Sequence, residues 1–225
     1  MPSTEKVIKY RPFLVKEEKI LLTALETEDT KSLSGAVRQI VNNCVQGELD
    51  VDKLPTFDIE YLFLRLRAKS VGEKVTIGLK PYGCSKNKNG LCENTTQVEI
   101  NLEKVKVNKN KASSPKIMID DKIGIKMKYP DINAINFTGT ESEKGIKIIK
   151  DCVDMIFTNE ETYERDSFTD KELDEFIDSL NSQQFKLLKD FFDNIPVLKH
   201  IVKYKCETCG EKKETILQGL DSFFG

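Results

Sequence analysis

Histidine is almost absent from this chain: His200 is the only one in 225 residues. Beside Lys199 it reads as a packed or solvated side chain rather than a metal ligand. Three catalytic signatures are missing as well. The sequence holds no Gly-rich phosphate loop, no Gly-x-Ser-x-Gly and no His-Glu-x-x-His, and no acidic cluster resembles a metal-dependent nuclease. Enzymatic chemistry therefore has no candidate residues. No apolar run approaches the roughly 18 residues that a membrane span needs. The opening Met1-Pro2-Ser3-Thr4-Glu5-Lys6 lacks the apolar core of a secretory signal, so the expectation is a cytosolic protein whose thiols stay reduced.

What is present describes a water-soluble chain with a real core. The apolar share is 39% and the charged share 32%, and 225 residues suffice for one domain or two closely packed ones. Net charge is only −2, but it is unevenly spread. Lys80 to Lys128 carries eleven lysines against five acids, and Glu141 to Asp178 carries thirteen acids against five bases. Such blocks are solvated faces, or they meet partners of opposite sign.

Apolar spacing predicts a helix from Glu17 to Glu26. A second helix, capped by Thr30 or Ser32, carries Leu33, Val37, Ile40, Val41 and Cys44 and ends at Gly47. From Thr56 a third helix carries Phe57, Ile59, Leu62, Phe63, Leu64 and Leu66. It is apolar nearly all round, so it is expected to be buried on more than one side. Glu60, Arg65 and Arg67 lie within it and predict at least one internal ion pair. After Gly72 the period becomes two: Val75–Leu79 and Gln97–Leu102 read as a hairpin. Two short strands follow, from Lys116 to Asp120 and from Lys122 to Met127. Capping boxes at Thr140–Glu143 and Thr169–Glu172 open helices, the first with Ile146, Ile149, Val153 and Ile156 on one face. Asn181 or Ser182 opens another helix, and Ile201–Tyr204 and Glu214–Leu217 flank a final turn as strands. Cys44 and Cys152 lie on or beside helical stripes and read as small core residues.

The other four cysteines form two pairs. Cys206-Glu207-Thr208-Cys209-Gly210 is a Cys-x-x-Cys knuckle between strands, and Cys84 and Cys92 lie in the loop of the first hairpin. Two such hairpins holding one Zn²⁺ form a zinc-ribbon-like, closed Cys₄ site with a structural role and no open position for catalysis. The pairs are more than one hundred residues apart. Closing that loop costs about 4 kcal/mol plus a constant, against roughly 10–16 kcal/mol for structural zinc in peptides. Four thiolates on Zn²⁺ leave a charge of −2, near Lys80, Lys86, Lys88, Lys203, Lys205, Lys212 and Lys213. Four reduced cysteines without metal are the plain alternative. A redox Cys-x-x-Cys normally opens a helix in a βαβ setting, which is absent here.

The expected architecture is α+β: a helical part at 1–73, a β-rich part with the first cysteine pair at 74–130, a helical part at 131–199, and the second knuckle at 200–225. The parts are expected to fold together as one unit.

Several stretches resemble a known family, the T-even-type bacteriophage baseplate hub and hub assembly proteins. They are Tyr10-Arg11-Pro12-Phe13-Leu14-Val15-Lys16-Glu17-Glu18-Lys19, the segment from Phe57 to Ser70, the Cys206–Gly210 knuckle, and Gly219-Leu220-Asp221-Ser222-Phe223-Phe224. The family pattern implies a closer first cysteine pair than Cys84 and Cys92, which seven residues separate. The resemblance implies a non-enzymatic tail protein that binds other baseplate hub or tail proteins and needs no small-molecule substrate. Its places would be the host cytoplasm during assembly and the virion baseplate. The acidic helices are candidate docking surfaces; Phe223 and Phe224 are either a docking surface or internal packing. The rival reading is a zinc-ribbon protein that binds nucleic acid or transcription machinery. Its support is the lysine block; against it stand few interleaved aromatics and a pI near 5.7.

Overall fold

The computed structural model describes residues 1–27, 29–80, 95–108, 114–131 and 140–224. The architecture is α+β, with six α-helices and antiparallel sheets among these residues. The chain divides into two compact units. Unit 1 comprises Met1–Val51, Phe57–Asn108 and Val197–Gly225; unit 2 comprises Asp52–Thr56 and Lys109–Pro196. The 74–130 stretch is thus shared between them, with 74–108 in unit 1 and 109–130 in unit 2.

Unit 1 begins with β1 (Lys9–Tyr10), α1 (Val15–Glu26), α2 (Thr30–Cys44) and β2 (Val45–Gln46), and β1 pairs antiparallel with β2. The cap of α2 is Asp29, whose carboxylate accepts from Lys31 N and Ser32 N, in place of the expected Thr30 or Ser32. Then come α3 (Thr56–Ser70), β3 (Lys74–Leu79), β4 (Thr96–Asn101) and β5 (Lys106–Asn108). Along α3, Phe57, Ile59, Leu62, Phe63, Leu64, Leu66 and Ala68 are all buried, as an all-round apolar helix requires. Strands β3 and β4 form the expected hairpin, with Leu79 opposite Thr96. Strand β5 lies in the lysine-rich connector, where three residues are too few for a period to show.

In unit 2 the order is β6 (Lys116–Met118), β7 (Ile123–Met127), α4 (Glu141–Cys152), β8 (Val153–Thr158), β9 (Thr162–Glu164), α5 (Asp170–Ser179) and α6 (Ser182–Asp193). Strands β6 to β9 form one antiparallel sheet in sequence order. The capping boxes at Thr140–Glu143 and Thr169–Glu172 are both formed, and Asn181 caps α6. Expectation fails at Val153 and Ile156, which continue the helical stripe in sequence but lie in β8. Three residues apart on a regular strand they would point to opposite faces, but a bulge between them sets Val153 opposite Met127 and Ile156 opposite Ile125, so both stay on the core side. Pairing with β7 and β9 overrides the helical spacing. The core gathers Ile125, Met127, Ile149, Cys152, Leu173, Leu188 and Phe191. At Gly124 a Cβ would lie 2.3 Å from the Phe157 ring across the ladder, so that close approach needs glycine.

The chain then returns to unit 1 as β10 (Val197–Lys205) and β11 (Lys212–Gln218), which form a three-stranded sheet in the order β11-β10-β5. Phe223 is fully buried, and Phe224 packs on Phe63 with ring centroids 5.8 Å apart. Of the two closing aromatics, Phe223 is internal packing and Phe224 is half-buried.

Candidate metal centre

Cys206 and Cys209 sit in the turn between β10 and β11. Cys206 is 1% exposed, and Cys209 packs against it. The turn closes with Gly210 N donating to Cys206 O at 2.8 Å and Cys206 N donating to Glu211 O at 2.9 Å. Gly210 has φ +75°, the left-handed region where a Cβ is strained. The glycine after the second cysteine therefore lets the chain turn back around both thiols. Between them, Thr208 Oγ1 is buried with no hydrogen-bond partner among the described residues. An orphaned hydroxyl costs roughly 1–3 kcal/mol, and it fits a site completed by further groups.

Two thiols on one knuckle suit half of a tetrahedral thiolate site. The other two predicted ligands, Cys84 and Cys92, lie outside the described residues. Among the described residues no group of three or more His, Cys, Asp or Glu could hold a metal. What the structure does place is the loop end of the first hairpin: Thr96, 3% exposed, accepts from Glu207 N at 3.3 Å. His200 lies on β10 opposite Leu217, six residues before Cys206, about 20 Å along a strand. Burial, with Lys104 nearby, holds its pKa below the ordinary value.

Cys44 is fully buried, and burial raises its pKa. Cys152 is buried in the unit 2 core, where loss of solvation pushes its pKa up to about 12. Both are packing residues, inert as thiolates.

A set of polar ties surrounds α3. Among the described residues the ion pair expected at Glu60, Arg65 or Arg67 is not found. Backbone groups and rings take the place of charges: Arg65 Nη2 donates to Val105 O at 2.6 Å, with its guanidinium 4.6 Å from the Tyr61 ring centroid. Arg67 Nη1 donates to Phe223 O at 2.8 Å, with its guanidinium over Phe224. Glu60 Oε1 accepts from Leu220 N at 3.3 Å. Burial pushes the Glu60 carboxyl up to about 7, against the pull of that N–H, with Asp221 adding to the rise.

The buried ion pair of unit 1 lies elsewhere. Glu17 has a fully buried side chain, and Arg11 Nη2 stands 3.0 Å from its Oε1. Leu14 N donates to Glu17 Oε2 at 2.8 Å. The Arg11 hydrogen bond, with help from Leu14 and Lys16, lowers the Glu17 pKa to about 2. Arg11 also donates to Asn43 O at 3.1 Å, so it joins the start of α1 to the end of α2. Buried Asp58 accepts from Ser3 N at 3.0 Å and from the Ser3 hydroxyl, and Phe13 N donates to Ser70 Oγ at 2.9 Å. Sequence spacing could not find these ties, because each joins segments far apart in the chain or depends on burial.

These contacts link the same stretches that carry the family resemblance. Phe13 meets Ser70, Arg67 meets Phe223, and Glu60 meets Leu220. In unit 1 the fold holds those three stretches together. Comparison with protein families places the chain: the family described as T4 bacteriophage base plate protein matches residues 1–225. The chain belongs to that family, and it is a phage baseplate protein. Comparisons with curated proteins and with solved structures gave no match. Among the described residues no helix is long and apolar enough to cross a membrane.

Proposed function

We infer that this protein is a component of the baseplate hub, or a factor that assembles the hub, and that it works by binding other hub proteins without catalysing a reaction. The observation that carries this reading is the family match over the whole chain. Its buried and half-buried charged groups support it, because the following are all used in structural ties. Arg11, Glu17, Asp58, Glu60 and Arg67 all bond to backbone or to one another, and none is left poised for chemistry. Mass-spectrometric inventory of purified particles, with co-purification of the tagged chain against the phage's tail proteins, tests the reading. Recovery with hub proteins is expected. A chain that is absent from particles and retains no hub protein during assembly would refute it.

Unit 1 in this reading is stapled by one structural Zn²⁺ held by Cys84, Cys92, Cys206 and Cys209. The support is the bond between Thr96 and Glu207. It anchors the first hairpin beside the knuckle. Cys92 is four residues from Thr96, and chain length alone keeps it within about 14 Å. The metal would supply folding energy only, because four thiolates fill its shell. Metal analysis of protein purified under reducing conditions should find about one Zn per chain; metal-free protein of full stability would rule the staple out.

A further inference from the structure

Strand β11 is an edge of its sheet. The bonds at the two ends of the β10–β11 ladder fix its phase: Cys206 N donates to Glu211 O, and Gly219 N donates to Leu198 O at 3.0 Å. In the observed register, Lys213, Thr215 and Leu217 are then the residues bonded to β10. The backbone N–H and C=O groups of Lys212, Glu214 and Ile216 point away from it. The next outward residue, Gln218, is closed off by Ser222. Gln218 N donates to Ser222 Oγ at 3.2 Å, and that hydroxyl donates to Gln218 O at 2.7 Å. Among the described residues the edge is thus open from Lys212 to Ile216 and sealed just beyond. It carries neither a proline nor a bulge, two devices that blunt edges.

The outer face of the same sheet is chemically distinctive. Ile201 and Ile216 are register partners, 51% and 52% exposed. Around them stand Lys199, Lys203, Lys205 and Lys212, and Lys106 of β5 lies opposite Lys199. Glu214, within 3.5 Å of Lys203, is the one acid on this face of the three strands. An apolar pair ringed by lysines, beside open backbone groups, suits an extended segment with acidic and apolar side chains.

We propose that β11 accepts an acidic, extended segment of another baseplate protein as an added strand over Lys212–Ile216. This deepens the hub-binding reading and rests on it. Main-chain hydrogen bonds to Lys212, Glu214 and Ile216 supply affinity, and side chains on the lysine-ringed face supply selectivity. A second copy of β11 fits poorly, because pairing would bring two lysine faces together.

The test uses the full-length chain co-expressed with the other baseplate proteins of its phage. In the complex, amide exchange at Lys212, Glu214 and Ile216 should slow at least tenfold. Ile216→Pro removes an outward N–H that β10 does not use, a position an edge strand tolerates. It should weaken the complex at least tenfold while leaving the urea midpoint in place. The surface pair Lys203→Glu with Lys212→Glu gives a second arm. It should weaken the complex similarly, and a synthetic peptide of alternating glutamate and valine should compete only with the unaltered chain. A complex that forms with unchanged exchange at these three amides overturns the proposal and leaves hub binding standing. Failure to bind any baseplate protein sinks both. Self-association lost in Ile216→Pro, or salt-sensitive retention on DNA lost in the lysine variant without a protein partner, overturns it by identifying a different occupant.

Discussion

The two units are held together by different means. In unit 1, side chains reach far along the chain: Arg67 bonds to Phe223, 156 residues away, Glu60 to Leu220, Asp58 to Ser3 and Thr96 to Glu207. Among the described residues of unit 2 most side-chain hydrogen bonds are local, as in the boxes of Thr140 with Glu143 and Thr169 with Glu172. Longer ties such as Lys126 with Asp154 at 2.5 Å and Lys150 with Asp174 are salt bridges with at least one side chain well exposed, worth little on average. Unit 2 depends instead on its apolar cluster. The contrast teaches where sensitivity to conditions should lie: buried ionisable groups and the cysteine knuckle concentrate it in unit 1, whereas unit 2 should respond mainly to loss of packing.

The largest expected effect is on the knuckle. In the proposed zinc-stapled protein, Cys206→Ser should abolish metal binding and with it much of the folding energy of a structural site. Amides of unit 1 should lose protection far more than those of unit 2. Equal loss in both units would dissolve the comparison. Next comes packing in unit 2, where Phe191→Ala should cost about 3–5 kcal/mol, by the same amount at pH 5 and pH 8 in urea titrations.

The pH dependence of unit 1 should show two opposed glutamates. Glu60 keeps its proton to about pH 7 when folded but only to its ordinary value near 4.5 when unfolded. The folded state therefore binds the extra proton across that window, and stability falls as pH rises through it. Glu60→Gln should remove the penalty, adding roughly 1–3 kcal/mol at pH 8 and little at pH 4. Glu17 runs the other way. Its folded value of about 2 lies below the ordinary 4.5, so its contribution stands in full above that value and is lost as pH falls towards 2. Unit 1 should be most stable near pH 4.5 to 5, a maximum that Glu17→Gln flattens on the acid side. A monotonic pH profile for unit 1 amides would contradict the assignment. The smallest effect belongs to a local cap: Thr169→Ala should lower stability by about 1 kcal/mol, confined to α5 and its neighbours in exchange measurements.

Much of the local structure was legible in the residues. The capping boxes at Thr140 and Thr169, the apolar stripe of α2, the hairpin of β3 with β4 and the strands around Cys206 all follow from short-range rules that the fold obeys. Legibility ends where partners are distant. Val153 and Ile156 keep helical spacing, yet β7 and β9 recruit them into a sheet. Glu60, Arg65 and Arg67 are conspicuous as charges in an apolar helix, yet their partners are carbonyls and rings contributed by Val105, Tyr61 and the chain's last residues. The buried pair of Arg11 with Glu17 carried no sign in spacing, because burial rather than sequence makes it matter.

The sequence by itself determined most of the helices, the β3–β4 and β10–β11 hairpins, the family, and the cysteine knuckle at Cys206 and Cys209, because propensity, caps and turn chemistry act over a few residues. Tertiary structure alone decided the rest. It made the long stretch between the two cysteine pairs largely a compact unit of its own, set Thr96 against Glu207, gave two glutamates opposite acidities, and left the β11 edge open. Each of those depends on burial and on contacts between segments that are remote in the chain, quantities that no local pattern encodes.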